Sequence, residues 1–317
     1  MLVPAAGPLP TAPPATTAEG LPDFLDGTLH WVHRRLDLFR PFDQAPLLDP
    51  VALKATAELA LACASLVRAG VRDAKLANLV AACEETARSA AFRTAIGDYP
   101  QLMHLFAPVV GGLRGCGLDD GWLDELTGSL QSTYDEGYVL AMERTPSQTM
   151  DLVAALDACR VRHGFPPMED LLARSIVGRQ PPVGHLADAD VYDLTHVLFA
   201  ACDMGLGTSP PLPPDTLRWS SWATGALLRL YLAERDWDLV GELLLVCRCL
   251  EIAPEPVFSR AWRALVDAQA ADGSVPDSSY SPSRASAKQG EERRLYEFGT
   301  NYHPTIVAME AAALRAR

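Results

Sequence analysis

From Leu21 onward, nearly every apolar segment of this chain repeats with the period of an α-helix, and none alternates like a strand. Phe24, Leu25, Leu29, Val32, Leu36 and Phe39 show the pattern in the first segment. No β-branched run is bounded by an Asn-Gly or Asp-Gly turn, so strands are not expected. The punctuation agrees. Asp49-Pro50 is a capping residue followed by proline in the first helical turn, and Gly70 is a stop. Thr145-Pro146 with Gln148 is a capping box. Helices are expected near 23–39, 50–69, 74–93, 99–113, 120–133, 146–162, 167–177, 188–205, 215–234, 236–250, 256–271 and 303–316. Short Gly/Pro connections between them imply antiparallel helical hairpins. The expected class is all-α, in an α/α toroid or barrel-like arrangement. No regular internal repeat argues for a solenoid.

Two stretches depart from this pattern. Residues 1–20 are rich in Pro, Ala and Thr and lack periodicity, so they are expected to form a disordered or surface arm ahead of a single all-α domain, 21–317. Residues 273–301 are polar and long for a loop in a compact domain, which suits either a lid or disorder.

The helix expected over Asp188–Gly205 has an unusual polar side. At 100° per residue, Val191, Leu194, Val197, Leu198 and Ala201 share one face, and Tyr192, Asp193, His196, Phe199, Ala200 and Asp203 share the other. A solvated face would carry Glu, Lys and Arg, and this one has none. That mix suits a helix buried on both sides, with one side lining a polar cavity.

Composition narrows the partners. Hydrophobic residues make up 49% of the 317 residues, enough for a full core, and the formal net charge is −13. No basic patch is present, which disfavours nucleic acid and anionic membrane surfaces. No signal sequence or apolar run of ~18 residues is seen. The seven cysteines lie mostly in apolar helical patterns and include no Cys-x-x-Cys pair, as expected of free thiols in a reducing cytoplasm. Abundant Ala, Leu, Pro and Asp with only three lysines suggest an actinobacterial source.

The candidate catalytic residues are His196, Asp203, His303, Asp193 and Tyr192. His196 and Asp203 would stand about 10 Å apart along one helix face. His303, next to Pro304 at the expected start of the last helix, would bring a second imidazole. Two imidazoles and a carboxylate suit zinc or iron with open positions. Without a metal, a histidine beside a carboxylate serves as general acid or base. The remaining reading is a bridge that only holds helices together. Tyr302, Trp222, Tyr280 and Arg294 are candidate substrate contacts, the last two in a loop able to close over an anion. His30, His33, Asp119 and Asp120 read as surface or capping residues, and Trp219 as core.

Two motifs carry resemblances. Gln269-x-x-Asp272-Gly273-Ser274 resembles the repeat signature of α/α toroids such as terpene cyclases and protein prenyltransferase β-subunits. There the glutamine and the Asp-Gly-Ser turn tie adjacent helices together. The acid motif of the class II cyclases is missing, so no terpene substrate is implied. Across 145–316, three segments resemble an uncharacterised actinobacterial family of helical proteins often encoded among natural-product biosynthesis genes. They are Thr145-Pro146-x4-Asp151-Leu152, Leu194-Thr195-His196-x2-Phe199-x3-Asp203-x-Gly205 and Asn301-Tyr302-His303-x-Thr305. That resemblance implies a setting in secondary metabolism. The expected function is a lyase- or cyclase-type enzyme performing elimination or intramolecular cyclisation, strained nitrogen-ring formation among them, on a small polar intermediate. The alternative is a non-catalytic partner subunit or binding module of a biosynthetic complex, in a heteromeric assembly or a homodimer; a terpene-type cyclase ranks third.

Overall fold

The computed structural model describes residues 20–43, 48–206 and 212–315. The expected arm at 1–20 lies outside them except for Gly20. Every α-helix and 3-10 turn follows a helical segment or its connection, and no strand occurs among the described residues. The N-terminal half holds α1 (Leu21–His33), α2 (Pro50–Arg68), α3 (Ala74–Arg88), α4 (Ala90–Asp98), α5 (Met103–Gly115), α6 (Gly121–Asp135), α7 (Tyr138–Ala141) and α8 (Pro146–Ala158). The C-terminal half holds α9 (Met168–Arg174), α10 (Ile176–Arg179), α11 (Asp188–Cys202), α12 (Pro214–Glu234), α13 (Trp237–Cys249), α14 (Val257–Ala268), α15 (Pro282–Ser286) and α16 (Gly290–Arg315).

The caps act as their residue types require. Asp49 accepts from the amides of Val51 and Ala52, and Thr145 with Gln148 closes the capping box of α8. Ser89 splits the segment expected at 74–93, because its hydroxyl accepts from the Phe92 amide and starts a new helix. At α11 the cap is Ala187, whose amide donates to Asp190 at 2.9 Å.

The segment 273–301 is no open loop. Pro282–Ser286 is helical, and α16 begins at Gly290, well before the expected start near 303. Pro304 removes one backbone donor inside α16 without ending it. The turns before it are held by the Arg293–Glu297 pair at 2.7 Å and by Phe298 and Tyr302 on the core face.

Six helices close a cycle of packing: α2 on α5, α5 on α8, α8 on α11, α11 on α13, α13 on α16, and α16 back on α2. Small residues bring some of these helices close. A Cβ on Gly112 would stand 2.6 Å from the backbone of Ala60, and one on Gly241 would stand 2.8 Å from Val307. Two apolar cores flank the cycle, and α16 belongs to both. Phe298, Ile306 and Met309 enter one core, and Val307, Ala311 and Leu314 enter the other. The helix α2 is long and apolar enough to cross a membrane, but 67% of that stretch is buried against other helices, as in a core helix. All seven cysteines are free, and all but Cys116 are buried.

The Gln269–Ser274 motif ties helices together, as the toroid resemblance implied. Gln269 donates to the carbonyls of Phe24 and Gly273 at 3.0 and 3.1 Å. Asp272 accepts from the Trp31 indole at 3.0 Å and from Arg35 at 3.1 Å. Gly273 has φ +94°, and a Cβ there would lie 2.1 Å from the Gly27 carbonyl oxygen. Gly273→Ala is therefore expected to cost at least ~2 kcal/mol, combining backbone strain with overpacking. Gly117, at φ +89° with open space around its Cβ position, is the control and should cost only the strain. Equal losses of melting temperature in the two variants would contradict the close approach.

Candidate functional site: an acid–imidazole cluster inside the helix cycle

Five of the six cycle helices send polar side chains to one place. Helix α2 brings Lys54 and Glu58, α8 brings Asp151, α11 brings Tyr192, Thr195 and His196, α13 brings Asp238 and Glu242, and α16 brings Tyr302 and His303. The spacing explains how. Lys54 and Glu58, Tyr192 and His196, and Asp238 and Glu242 are each four residues apart, so each pair shares a helix face.

His196 stands at the more open end, its side chain 42% exposed. Its Nδ1 lies 2.8 Å from Asp151 Oδ2, and its Nε2 lies 4.0 Å from Glu242 Oε1. Burial pulls the imidazole down, but the hydrogen bond and charge of Asp151, with Glu242 behind, outweigh it and hold His196 at about 9.

Deeper in, His303 is ringed by three carboxylates. Its Nδ1 is 3.3 Å from Glu58 Oε2, and its Nε2 is 3.5 Å from both Asp238 Oδ1 and Glu242 Oε1. Burial opposes its charge, yet Glu58 and Asp238 raise it well above the ordinary imidazole value. Glu58 feels the reverse. Burial raises it, but His303 and Lys54 pull it down to about 2. Asp238 is pushed up to about 6, first by burial and further by Glu242. The outer oxygens of the two α13 carboxylates are occupied. The Tyr192 hydroxyl donates to Asp238 Oδ2 at 2.8 Å, and the Thr195 hydroxyl donates to Glu242 Oε2. Lys54 bonds Glu58 and donates to the Tyr302 hydroxyl at 3.3 Å. About two helical turns beyond His303, on the same α16, Glu310 is buried, and burial raises it to about 7.

Four residues singled out in the sequence therefore meet: His196, His303, Tyr192 and Tyr302. Asp203 does not join them. Helix α11 stops at Cys202, Asp203 turns into the left-handed region at φ 48°, and its carboxylate pairs with Arg68 on the surface at 2.8 Å. The one-face argument fails because the face ends before Asp203. Asp193 is half-buried on α11 and enters none of the cluster's hydrogen bonds or ion pairs. Trp222 is 43% exposed on α12. Tyr280 stacks on Tyr296 with ring centres 6.0 Å apart, and Arg294 pairs with Asp37 and Glu291. The carboxylates that do surround the imidazoles are Asp151, Glu58, Asp238 and Glu242. Asp151 stood in the quoted Thr145–Leu152 motif. Asp238 and Glu242 carried the same signal as α11, acids at one-turn spacing in a helix otherwise buried from Leu239 to Cys247.

Fold and cluster define an all-α protein with an internal site of mixed acid and imidazole groups. The chain belongs to the family described as a domain of unknown function, DUF6895, which it matches over residues 25–313. No curated protein and no solved structure matches it significantly.

The raised groups set a pH dependence. His196, held near 9, contributes stability that is complete below its ordinary value of 6.5 and is lost as pH rises toward 9. Glu310, raised to about 7 from 4.5, acts in the same direction over that lower window. The melting temperature is expected to fall as pH climbs from about 6.5 to about 9. Asp151→Asn should make that fall shallower, since it removes the group that raises His196 most. A profile that is flat over this range, or unchanged by the substitution, would refute the assignment.

Proposed function

We propose that the protein is an enzyme that moves protons on a small polar substrate at the open end of the cluster, with His196 as the group in contact with it. The observation that carries this reading is the His196–Asp151 pair. A carboxylate 2.8 Å from Nδ1 fixes the ring and leaves Nε2 to exchange the proton, and the side chain is 42% exposed. The groups behind are far less open, with Glu242 only 2% exposed. An imidazole held by a carboxylate at the accessible end of a buried polar cluster suits a general acid or base better than a helix tie.

Elimination and intramolecular cyclisation fit this arrangement. Each needs one group to take a proton and another to assist the departing one, and His196 with the neighbouring Glu242 and Asp238 carboxylates offers both. Ring closure of an amine onto a carbon bearing an activated oxygen is the narrower expectation, since it needs little beyond positioning and a base. A setting in secondary metabolism rests on the sequence resemblance alone.

The test uses the full chain against a panel of amines carrying an activated oxygen on a nearby carbon. Turnover by the wild type is expected to drop by about 10²- to 10⁴-fold in His196→Gln, the usual contribution of a positioned acid or base. Asp151→Asn should lose less and shift the pH–rate profile. Both variants should keep a near-native circular dichroism spectrum. Wild-type turnover left intact in His196→Gln would place the chemistry elsewhere. No turnover of any panel member would favour the non-catalytic subunit instead.

A further inference from the structure

We propose that Asp238 Oδ1, Glu242 Oε1 and His303 Nε2 together bind one divalent transition-metal ion. This goes beyond the proton-transfer reading and does not require it: an ion held by Asp238 and Glu242 would take over the second role assigned to those carboxylates there.

The three atoms converge, lying within 4.8 Å of one another, with both carboxylate oxygens inside 4.0 Å of the imidazole nitrogen. With metal–ligand bonds of about 2.1 Å, the edge of a tetrahedral site is about 3.4 Å. The observed His303 separations of 3.5 Å match that edge. Charge-assisted hydrogen bonds would be shorter, about 2.7–2.9 Å. The distances suit atoms facing a shared cation.

The second observation is an orphan. Asp238 Oδ1 is buried with no hydrogen-bond partner, on a side chain only 6% exposed. A buried carboxylate oxygen without a hydrogen bond is offset only by the His303 charge 3.5 Å away, and a cation in the shared space would stabilise it further. The surroundings are built to match. Tyr192 holds the outer oxygen of Asp238, and Thr195 holds the outer oxygen of Glu242. Each carboxylate is thereby turned so that its inner oxygen faces His303. On the far side of that ring, Glu58 faces Nδ1 at 3.3 Å, the arrangement of a carboxylate that orients a metal-binding imidazole. Both carboxylate ligands have an outer hydrogen-bond partner, and His303 Nδ1, itself without a hydrogen bond, faces Glu58 Oε2 as an ion pair. Even as an imidazolium, His303 offers one N–H to Glu58 and a single N–H to be shared by Asp238 and Glu242, whereas a divalent ion on Nε2 with the proton kept on Nδ1 serves all three.

One imidazole and two carboxylates suit zinc, iron(II) or manganese. His196 Nε2, 4.0 Å from Glu242 Oε1, lies beside this centre rather than within the ligand set.

Zinc is the probe. Full-length protein is stripped with chelator, dialysed and titrated with zinc by calorimetry, with cobalt(II) absorption reporting geometry and manganese and iron(II) as parallel arms. One equivalent is expected to bind. Asp238→Asn and Glu242→Gln should each lose more affinity than the ~10- to 100-fold typical of an outer partner, and Tyr192→Phe should lose about that much. His196→Gln should bind as the wild type does. Since Tyr192→Phe keeps every ligand, it remains informative if a carboxylate variant misfolds. The proposal is overturned if no metal binds stoichiometrically, or if Tyr192→Phe and the carboxylate variants bind as tightly as the wild type. Metal binding with no effect of His196→Gln on turnover would leave this inference standing and remove the proton-transfer reading.

Discussion

Burying carboxylates inside a helical core is the most expensive thing this chain does, and the rest of the structure is arranged around it. Asp238, Glu242 and Glu310 are all under a tenth exposed. Each isolated charge in such a place would cost several kcal/mol, so the fold must bring partners from other helices. It does so by closing six helices into a cycle, which lets α11 and α16 reach the acids of α13 while α8 and α2 bring carboxylates to the histidines of α11 and α16. The close approach at Gly112 and Gly241 is part of the same requirement, since wider helix spacing would leave those partners out of reach.

Helix α16 is where stability and site meet. Its apolar residues enter both cores, while His303 faces the acids and the next-but-one residue, Thr305, locks the backbone. The Thr305 hydroxyl donates to the Asn301 carbonyl at 2.6 Å and accepts from the Val275 amide at 2.9 Å. The imidazole is thus held by a helix that cannot shift without disturbing two cores and the Gln269–Ser274 tie. A group so fixed is suited to holding a cation or orienting a substrate, because little reorganisation is left to occur.

The helices were legible because their signals are local. Asp49, Thr145 and Gly70 mark boundaries through hydrogen bonds to their own neighbours, and apolar periodicity needs no knowledge of the fold. The polar side of α11 was legible for the same reason, and it led to Tyr192 and His196. Asp203 misled because a helix face was extended past the last helical residue, and only the backbone turn at that residue reveals it. The start of α16 was missed because Pro304 reads as a boundary, while core contacts from Phe298 and Tyr302 carry the helix through it. The partners of the histidines were hidden for another reason. Asp151, Glu58, Asp238 and Glu242 come from three further helices, and which of them meet depends on how those helices close. Acids one turn apart in an apolar helix were the available clue.

The central claim is that these acids are gathered for function rather than for folding. The most direct measurement is the melting temperature of Asp238→Asn against wild type, both chelator-treated, at mildly alkaline pH. Asparagine keeps an acceptor for the Tyr192 hydroxyl and removes one of three negative charges facing His303. If the cluster carries surplus charge awaiting a cation or substrate, the variant will melt at the same temperature or higher, as expected where a site trades stability for function. A loss of about 1–3 kcal/mol, the usual cost of breaking a buried polar pair, would mean that the acids serve the fold and would contradict the account.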